Sequence, residues 1–279
     1  MSKKILVTGG NGYIARNLIP FLFEYDLTVL TREKLDLLDS VEVLKFFKNN
    51  EFDIVIHTAT CGGSRTQTDN TEWVYKNVTM FYNLMKCQSS FKKIINLGSG
   101  AQFDRRYSIN GTRPLHHSFP IDPYGLSKNI ISKIGSGYHK FQNLTIYNVF
   151  NQDEPDTRMI KNNIKRYINK LPLTILKDRK IDFFYFDDFA LLIKYYIENN
   201  ENFISDIDIC YSKKYYLSEI ANLINSLDDY SVDINIESPY QDLEYTGNCD
   251  KIESLSLPFV GLIDGINITY KKLLKDRNV

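Results

Sequence analysis

A short apolar run, Ile5-Leu6-Val7, stops on Thr8-Gly9-Gly10-Asn11-Gly12, and Tyr13-Ile14-Ala15 then opens a helical spacing. A wholly apolar β-branched run ended by glycine suits a strand buried on both faces, as in a parallel sheet. The grammar repeats down the chain. Leu27-Thr28-Val29-Leu30, Ile54-Val55-Ile56-His57, Ile94-Ile95-Asn96-Leu97 and Thr145-Ile146-Tyr147-Asn148 read as further strands. Helical patterns over 13–25, 41–49, 71–90 and 123–141 lie between them. Strands alternating with helices at this pitch imply an α/β fold with a doubly wound parallel sheet.

The first turn carries the most chemistry. Gly9 allows the tight turn, Gly12 lets the backbone approach a pyrophosphate, and Ala15 permits close packing of helix on strand. Tyr13 and Ile14 continue this cradle, so 9–14 is expected to hold a dinucleotide. An acidic residue after the second strand would bond a ribose 2′-hydroxyl. Thr31-Arg32 stands there instead, and a guanidinium suits a 2′-phosphate, which points to NADPH. Asp36-Leu37 is placed to border the adenine.

Two further signals follow. Ser99 ends the fourth strand, and 25 residues later comes Tyr124-Gly125-Leu126-Ser127-Lys128. Tyr124 and Lys128 lie four apart and share one helical face. The ammonium favours the phenolate, so Tyr124 can exchange a proton with a carbonyl oxygen that Ser99 orients. Nineteen tyrosines make chance pairs expected, and Tyr82…Lys86 is one; no strand-end serine precedes it. Asp122-Pro123 before Tyr124 reads as an N-cap followed by proline at the first helical position.

These motifs, with Thr31 to Ser40, Gly62-Gly63 and Gly98-Ser99, resemble the extended short-chain dehydrogenase/reductase family. The likeness is to its nucleotide-sugar branch, and there to the GDP-fucose synthase type of 4-keto-sugar reductase. It runs well over 1–150, thins afterwards, and reappears around 182–190. It implies a Rossmann domain over 1–150, to which 182–200 returns, and a smaller C-terminal α/β substrate lobe over 151–279. The implied reaction is NADPH-dependent reduction of the 4-keto group of a nucleoside-diphosphate-linked 4-keto-6-deoxy, heptose or dideoxy sugar. Its alternatives are an NAD-retaining nucleotide-sugar epimerase and a non-catalytic dinucleotide-sensing protein.

Residue by residue, the resemblance places Thr58, Ala59 and Thr60 beside the cofactor ribose, and Asn148 and Val149 beside the nicotinamide. Ser99, Gly100 and Tyr124 face the substrate. The epimerising cysteine of fucose synthases is Ala101 here, and Asn151-Gln152-Asp153-Glu154-Pro155 holds no histidine, so reduction without epimerisation is expected. The dehydratases' Asp-Glu pair is likewise missing, replaced by Gly100-Ala101. The family's phosphate-contacting arginine is Ile181, which leaves Arg158, Lys161 and Arg179 as candidates. Asn77 is expected to make a structural hydrogen bond to the glycine-loop region. His57 is expected to be a second-sphere or backbone contact, and Trp73 to be packing.

Composition narrows the rest. Thirty-four basic and thirty-four acidic residues cancel, so no overall field draws in nucleic acid or an anionic membrane. Cys61, Cys87, Cys210 and Cys249 are scattered and read as free thiols, with no metal site. No apolar run approaches the roughly 20 residues that span a bilayer, and the first seven residues are too polar for a signal-peptide core. A soluble, cytoplasmic enzyme is the expectation, and the resemblance implies a homodimer with helices 71–90 and 123–141 at a two-fold interface.

Overall fold

In the computed structural model, residues 2–63, 70–199 and 205–277 are described. They form two compact units: one comprises 1–104, 113–146 and 194–207, the other 105–112, 147–193 and 208–279. Apart from the inserted 105–112, the first unit gives way to the second at 146/147, whereas the sequence suggested about 150. The stretch that returns to the first unit is 194–207, later than the expected 182–200.

The first unit is built on a six-stranded sheet: β1 (Lys4–Thr8), β2 (Asp26–Val29), β3 (Phe52–His57), β4 (Phe91–Ser99), β5 (Phe141–Ile146) and β6 (Asp206–Ile209). Their spatial order is β6-β5-β4-β3-β1-β2. The ladders from β2 across to β5 are all parallel, with Ile5 beside both Leu27 and Ile54 and Ile95 beside Ile56. β1 thus has β2 on one side and β3 on the other. That reversal of strand order is where open α/β sheets bind ligands, and the glycine loop leaves β1 there. The order is Rossmann-like, as the alternating pattern implied.

Three of the five runs are covered on both faces, with Ile5, Leu6, Val7, Val55, Ile56, Ile94 and Ile95 fully buried, whereas the edge strand β2 is only partly buried. Helices α1 (Tyr13–Leu18), α2 (Ser40–Lys48), α3 (Glu72–Lys86) and α4 (Pro123–Gly135) connect them. Phe81, Leu84 and Met85 of α3 pack with Ile131 of α4 and Phe141 of β5 in one core. The helix expected over 123–141 stops at Gly135. Any Cβ there would run into the Phe141 ring, so Gly135 lets β5 begin where helix was expected. Asp39 caps α2, its Oδ1 accepting from the N–H groups of Val41 and Glu42.

Between α4 and β4–β5 the core is polar. Asn96 Nδ2 donates to Asn143 Oδ1 at 2.7 Å, and Asn143 Nδ2 donates to Ser132 Oγ on α4 at 3.1 Å. Gln102 Nε2 donates to Thr145 Oγ1, and Asn129 Nδ2 donates to the carbonyls of Gln102 and Ser118.

The second unit carries a four-stranded sheet ordered Tyr215–Tyr216, Lys180–Ile181, Tyr245–Thr246 and Ile109–Asn110. Its core gathers Phe150, Ile160, Ile164, Tyr167, Tyr185, Ile220, Ile224 and Ile266. Helices α5 (Met159–Ile168) and α7 (Leu217–Asn225) supply part of it, and α6 (Phe186–Glu198) runs from this unit into the first.

Asn143→Leu keeps the volume but strips Asn96 and Ser132 of partners, so it is expected to cost about 3 kcal/mol, at roughly 1–3 kcal/mol for each buried group left unsatisfied. Urea denaturation of both proteins measures it.

Candidate active site

The glycine loop is held against both neighbouring strands. Gly9 has φ +68°, and a Cβ on it would lie 2.8 Å from the Ala59 backbone and 2.9 Å from Thr58 Oγ1. Gly12 N donates to Gly9 O at 2.8 Å and closes the turn. A Cβ on Gly12 would meet only Gly9 O, at 3.2 Å, so its outer side is open. Ala15 is fully buried, as helix-on-strand packing requires. Gly10, to which the sequence analysis gave no role, bonds the Leu30 carbonyl at 2.9 Å and has no room for a side chain beside Val29. A turn that is all backbone and open at Gly12 fits a pyrophosphate.

Thr8 joins this loop to the one after β3. Its Oγ1 accepts from the N–H groups of Thr58 and Ala59, and its carbonyl accepts the Thr58 hydroxyl at 2.6 Å. The same Oγ1 lies 3.0 Å from His57 Nδ1. An oxygen already accepting two N–H groups has its own hydrogen left to give, so Nδ1 accepts and Nε2 carries the proton. His57 is buried. Desolvation, helped by the charge of Lys128, pulls its pKa down to about 3 and keeps the ring neutral.

At the end of β2, Arg32 is exposed, and its Nε lies 3.1 Å from Asp36 Oδ2. Asp36 Oδ1 also accepts from Leu38 N. Leu37 turns its side chain into the core with Leu35 and Val43 and leaves its carbonyl to Asn83 Nδ2. Only its backbone therefore remains for an adenine. Thr60 is exposed in the loop after β3.

Three contacts bring the serine, tyrosine and lysine together. Asp122 caps α4, with Oδ1 accepting from Gly125 N at 2.7 Å and Pro123 in the first turn. A Cβ on Gly125 would lie 2.5 Å from Ala101 O, so the turn carrying Ser99 and Gly100 rests on the first turn of α4. Lys128 reaches β4, its Nζ donating to Leu97 O at 2.8 Å, two residues before Ser99. Ser99 Oγ accepts from Ala101 N at 3.2 Å, which leaves its hydrogen to donate. The Lys128 ammonium lies 5.8 Å from the centroid of the Tyr124 ring, and burial pulls its pKa down to about 8. The chance pair differs: Lys86 lies over Tyr82 at the surface.

Asn77, expected from the sequence to bond the glycine-loop region, has its partners elsewhere. It bonds both backbone groups of Cys61 after β3, and Ser127 on α4. The amide is directed there because its N–H groups and its oxygen all find partners at that distance.

The other expected residues lie in the second unit. Asn148 Nδ2 donates to Asp182 O, and Val149 pairs with Phe184 in a short parallel ladder. Lys161 is already engaged by the Glu154 carbonyl and, at 2.9 Å, by Asp156; Arg179 lies 3.5 Å from Asp242. Arg158 precedes α5 as its N-cap residue. Asp182, at the start of the stretch where the resemblance reappears, is a hub. It accepts from Lys214 Nζ at 2.8 Å and from Gly247 N at 2.7 Å, and burial pushes its pKa up to about 6 against the pull of Lys214. Loop ends 32 and 65 residues distant gave no pattern to find it by.

The model of the NAD dependent epimerase/dehydratase family matches residues 5–210. The chain belongs to that family. It is 24% identical over 254 residues to GDP-L-colitose synthase of Yersinia pseudotuberculosis, which covers 81% of this chain and 82% of that one. A GDP-mannoheptose C4 reductase from Campylobacter jejuni with NADP bound superposes with a TM-score of 0.78 at 20% identity, over 97% and 98% of the two chains. A UDP-glucuronic acid 4-epimerase from Bacillus cereus, in complex with UDP-glucuronic acid and NAD, does so with a TM-score of 0.77 at 20% identity, over 99% and 100%. The expected family membership and fold are thereby borne out. Among the described residues, no cluster fit for a metal was found, and no helix is long and apolar enough to cross a membrane.

His57 titrates near 6.5 when unfolded and near 3 when folded. The unfolded chain therefore binds the proton first, and stability falls as pH drops from 6.5 towards 3. From pH 7 to pH 5 this contributes a loss of about 2 kcal/mol, and denaturation midpoints of wild type and His57→Gln across that range should show the variant losing this slope.

Proposed function

We propose that this chain is an NADPH-dependent reductase of a nucleoside-diphosphate-linked 4-keto-6-deoxy sugar, or its heptose or dideoxy equivalent, acting in glycan precursor synthesis. The observation that carries the reading is the joint placement of Ser99, Tyr124 and Lys128, with Lys128 hung on the same strand that presents Ser99. The open glycine turn and Arg32 fit NADPH, whose reduced nicotinamide would supply a hydride to the sugar C4.

The protein's own residues do the rest. Gly9, Gly12, Tyr13 and Ile14 cradle the pyrophosphate, and the Arg32 guanidinium meets the 2′-phosphate. Thr58, Ala59 and Thr60 border the ribose; Asn148 and Val149 serve the nicotinamide end, and Asp36 with the Leu37 backbone the adenine. Ser99 donates its free hydrogen to the carbonyl oxygen and orients it. Tyr124 gives that oxygen a proton as negative charge develops. The Lys128 ammonium favours the phenolate left behind. Gly100 lines the same turn, and Arg158, Lys161 and Arg179 are the cations offered for the substrate diphosphate. Ala101 has no group that exchanges protons, so the neighbouring sugar carbons keep their configuration. The exposed Tyr75 and Tyr82 on α3 and Ile134 on α4 offer a face for pairing two chains.

The decisive assay mixes protein and NADPH with GDP-, dTDP-, CDP- and UDP-linked 4-keto-6-deoxy sugars and follows NADPH absorbance and product NMR. Stoichiometric NADPH loss with a single C4 product supports reduction. The family also holds epimerases, and C4 inversion without net cofactor loss would assign this chain to them. Binding of NADPH with no turnover would make it a sensor. Tyr124→Phe should lower kcat about 10²–10⁴-fold, the worth of a positioned proton donor, with the NADPH Kd unchanged. Arg32→Ala should weaken NADPH about tenfold and leave NADH alone, the effect of one charge-assisted hydrogen bond; equilibrium binding reads both.

A further inference from the structure

Between β3 and α3 the chain makes a diglycine turn that neither the catalytic nor the cofactor assignments use. Gly62 has φ +86° and Gly63 φ +79°, two successive left-handed positions that glycine adopts without strain. Each glycine is pressed on an aromatic ring. A Cβ on Gly63 would lie 2.9 Å from Cε2 and Cζ of Tyr124 and 3.3 Å from its hydroxyl oxygen. A Cβ on Gly62 would strike the six-membered ring of Trp73.

The turn is also bolted down. Asn77 Oδ1 accepts from Cys61 N at 2.7 Å, and Asn77 Nδ2 donates to Cys61 O at 3.0 Å and to Ser127 Oγ at 2.9 Å. Ser127 Oγ in turn donates to the carbonyl of Tyr124 at 2.7 Å. Asn77 and Ser127 are buried, and these bonds use both Asn77 N–H groups and its oxygen. Lifting the turn would leave a buried amide without partners, which costs roughly 1–3 kcal/mol for each group.

We propose that the Cys61–Gly63 turn is a backbone wall that fixes the phenol of Tyr124, with Gly63, Asn77 and Trp73 as positioning residues. α3 holds the wall through Asn77 and Trp73. The wall confines the ring at its hydroxyl-bearing edge, and Ser127 holds the backbone from which that ring springs. The same amide thus sets both ends of the tyrosine. Its glycines are required because any side chain at 63 would occupy the space of the ring. This inference rests on Tyr124 being the proton donor.

Gly63→Ala tests it directly, because the residue is exposed and its replacement spares the core. Displacing a reacting group by about 1 Å costs on the order of 10²-fold in rate. The variant should therefore lose roughly 30–100-fold in kcat, keep its NADPH Kd, lower its melting temperature only by the strain of an alanine at φ +79°, and shift the pH profile of kcat. Trp73→Phe, which retains a flat ring under Gly62, should keep most of the rate, whereas Trp73→Ala should lose it. A readout without turnover accompanies these: the tyrosinate absorbance titration of Tyr124, taken as wild type minus Tyr124→Phe, should move in Gly63→Ala. Wild-type kcat with an unmoved titration would overturn the wall, as would a rate loss matched by equal loss of NADPH binding. Absence of turnover in wild type would instead refute the reductase reading, and the titration would still decide the wall.

Discussion

The bond from the Lys128 ammonium to the Leu97 carbonyl is what the rest of the site depends on. An ammonium removed from water keeps its charge at a penalty, and here burial pulls its pKa down to about 8. That cost is tolerated in a place where the charge has several consequences. It ties α4 to β4, so the serine two residues beyond Leu97 and the tyrosine one turn before Lys128 cannot drift apart. It also helps to hold His57 neutral, which fits an imidazole that serves Thr8 as a hydrogen-bond acceptor. A neutral ring beneath a positive side chain is stable as a pair, whereas two buried cations would repel.

The second constraint is close approach of backbone to its neighbours. Gly9 lies on the Ala59 backbone, Gly125 on the Ala101 carbonyl and Gly63 on the Tyr124 ring. Each marks a place where two segments touch with nothing between them. Together they let the loops after β1, β3 and β4 share one small region with the first turn of α4. Side chains there would hold the loops apart and leave a wider, wetter space, in which hydrogen bonds to a developing charge are worth less.

Much of this was legible in the sequence, for definite reasons. The sheet was readable because strands buried on both faces are written as short β-branched runs. The glycine turn, Tyr124, Lys128 and the Asp122 cap were readable because their spacing is local. Contacts made across the fold were hidden. The sequence analysis aimed Asn77 at the glycine loop, but its partners lie 16 and 50 residues away. Leu37 could be placed at the end of β2 yet not assigned to the core, because the period of that loop is neither helical nor extended. The end of α4 was missed since Gly135 matters through a ring six residues later, beyond any helical repeat. Arg179 looked like a free cation because its acidic partner Asp242, 63 residues on, joins it only through the fold, whereas Lys161 meets Asp156 five residues before it, across the turn into α5.

The amide chain behind α4 carries one more implication. An apolar helix seat tolerates sliding by a turn, since one leucine resembles the next to its neighbour. Asn96, Asn143 and Ser132 do not permit this: the bonds from Asn96 Nδ2 to Asn143 Oδ1 and from Asn143 Nδ2 to Ser132 Oγ form in a single register, and a helix rolled or shifted along its axis would break the bond to Ser132. The orientation of α4 is therefore keyed into the core. Loosened conformers that misplace the Tyr124 phenol are also those that break the amide chain, so partly organised states are thinly populated.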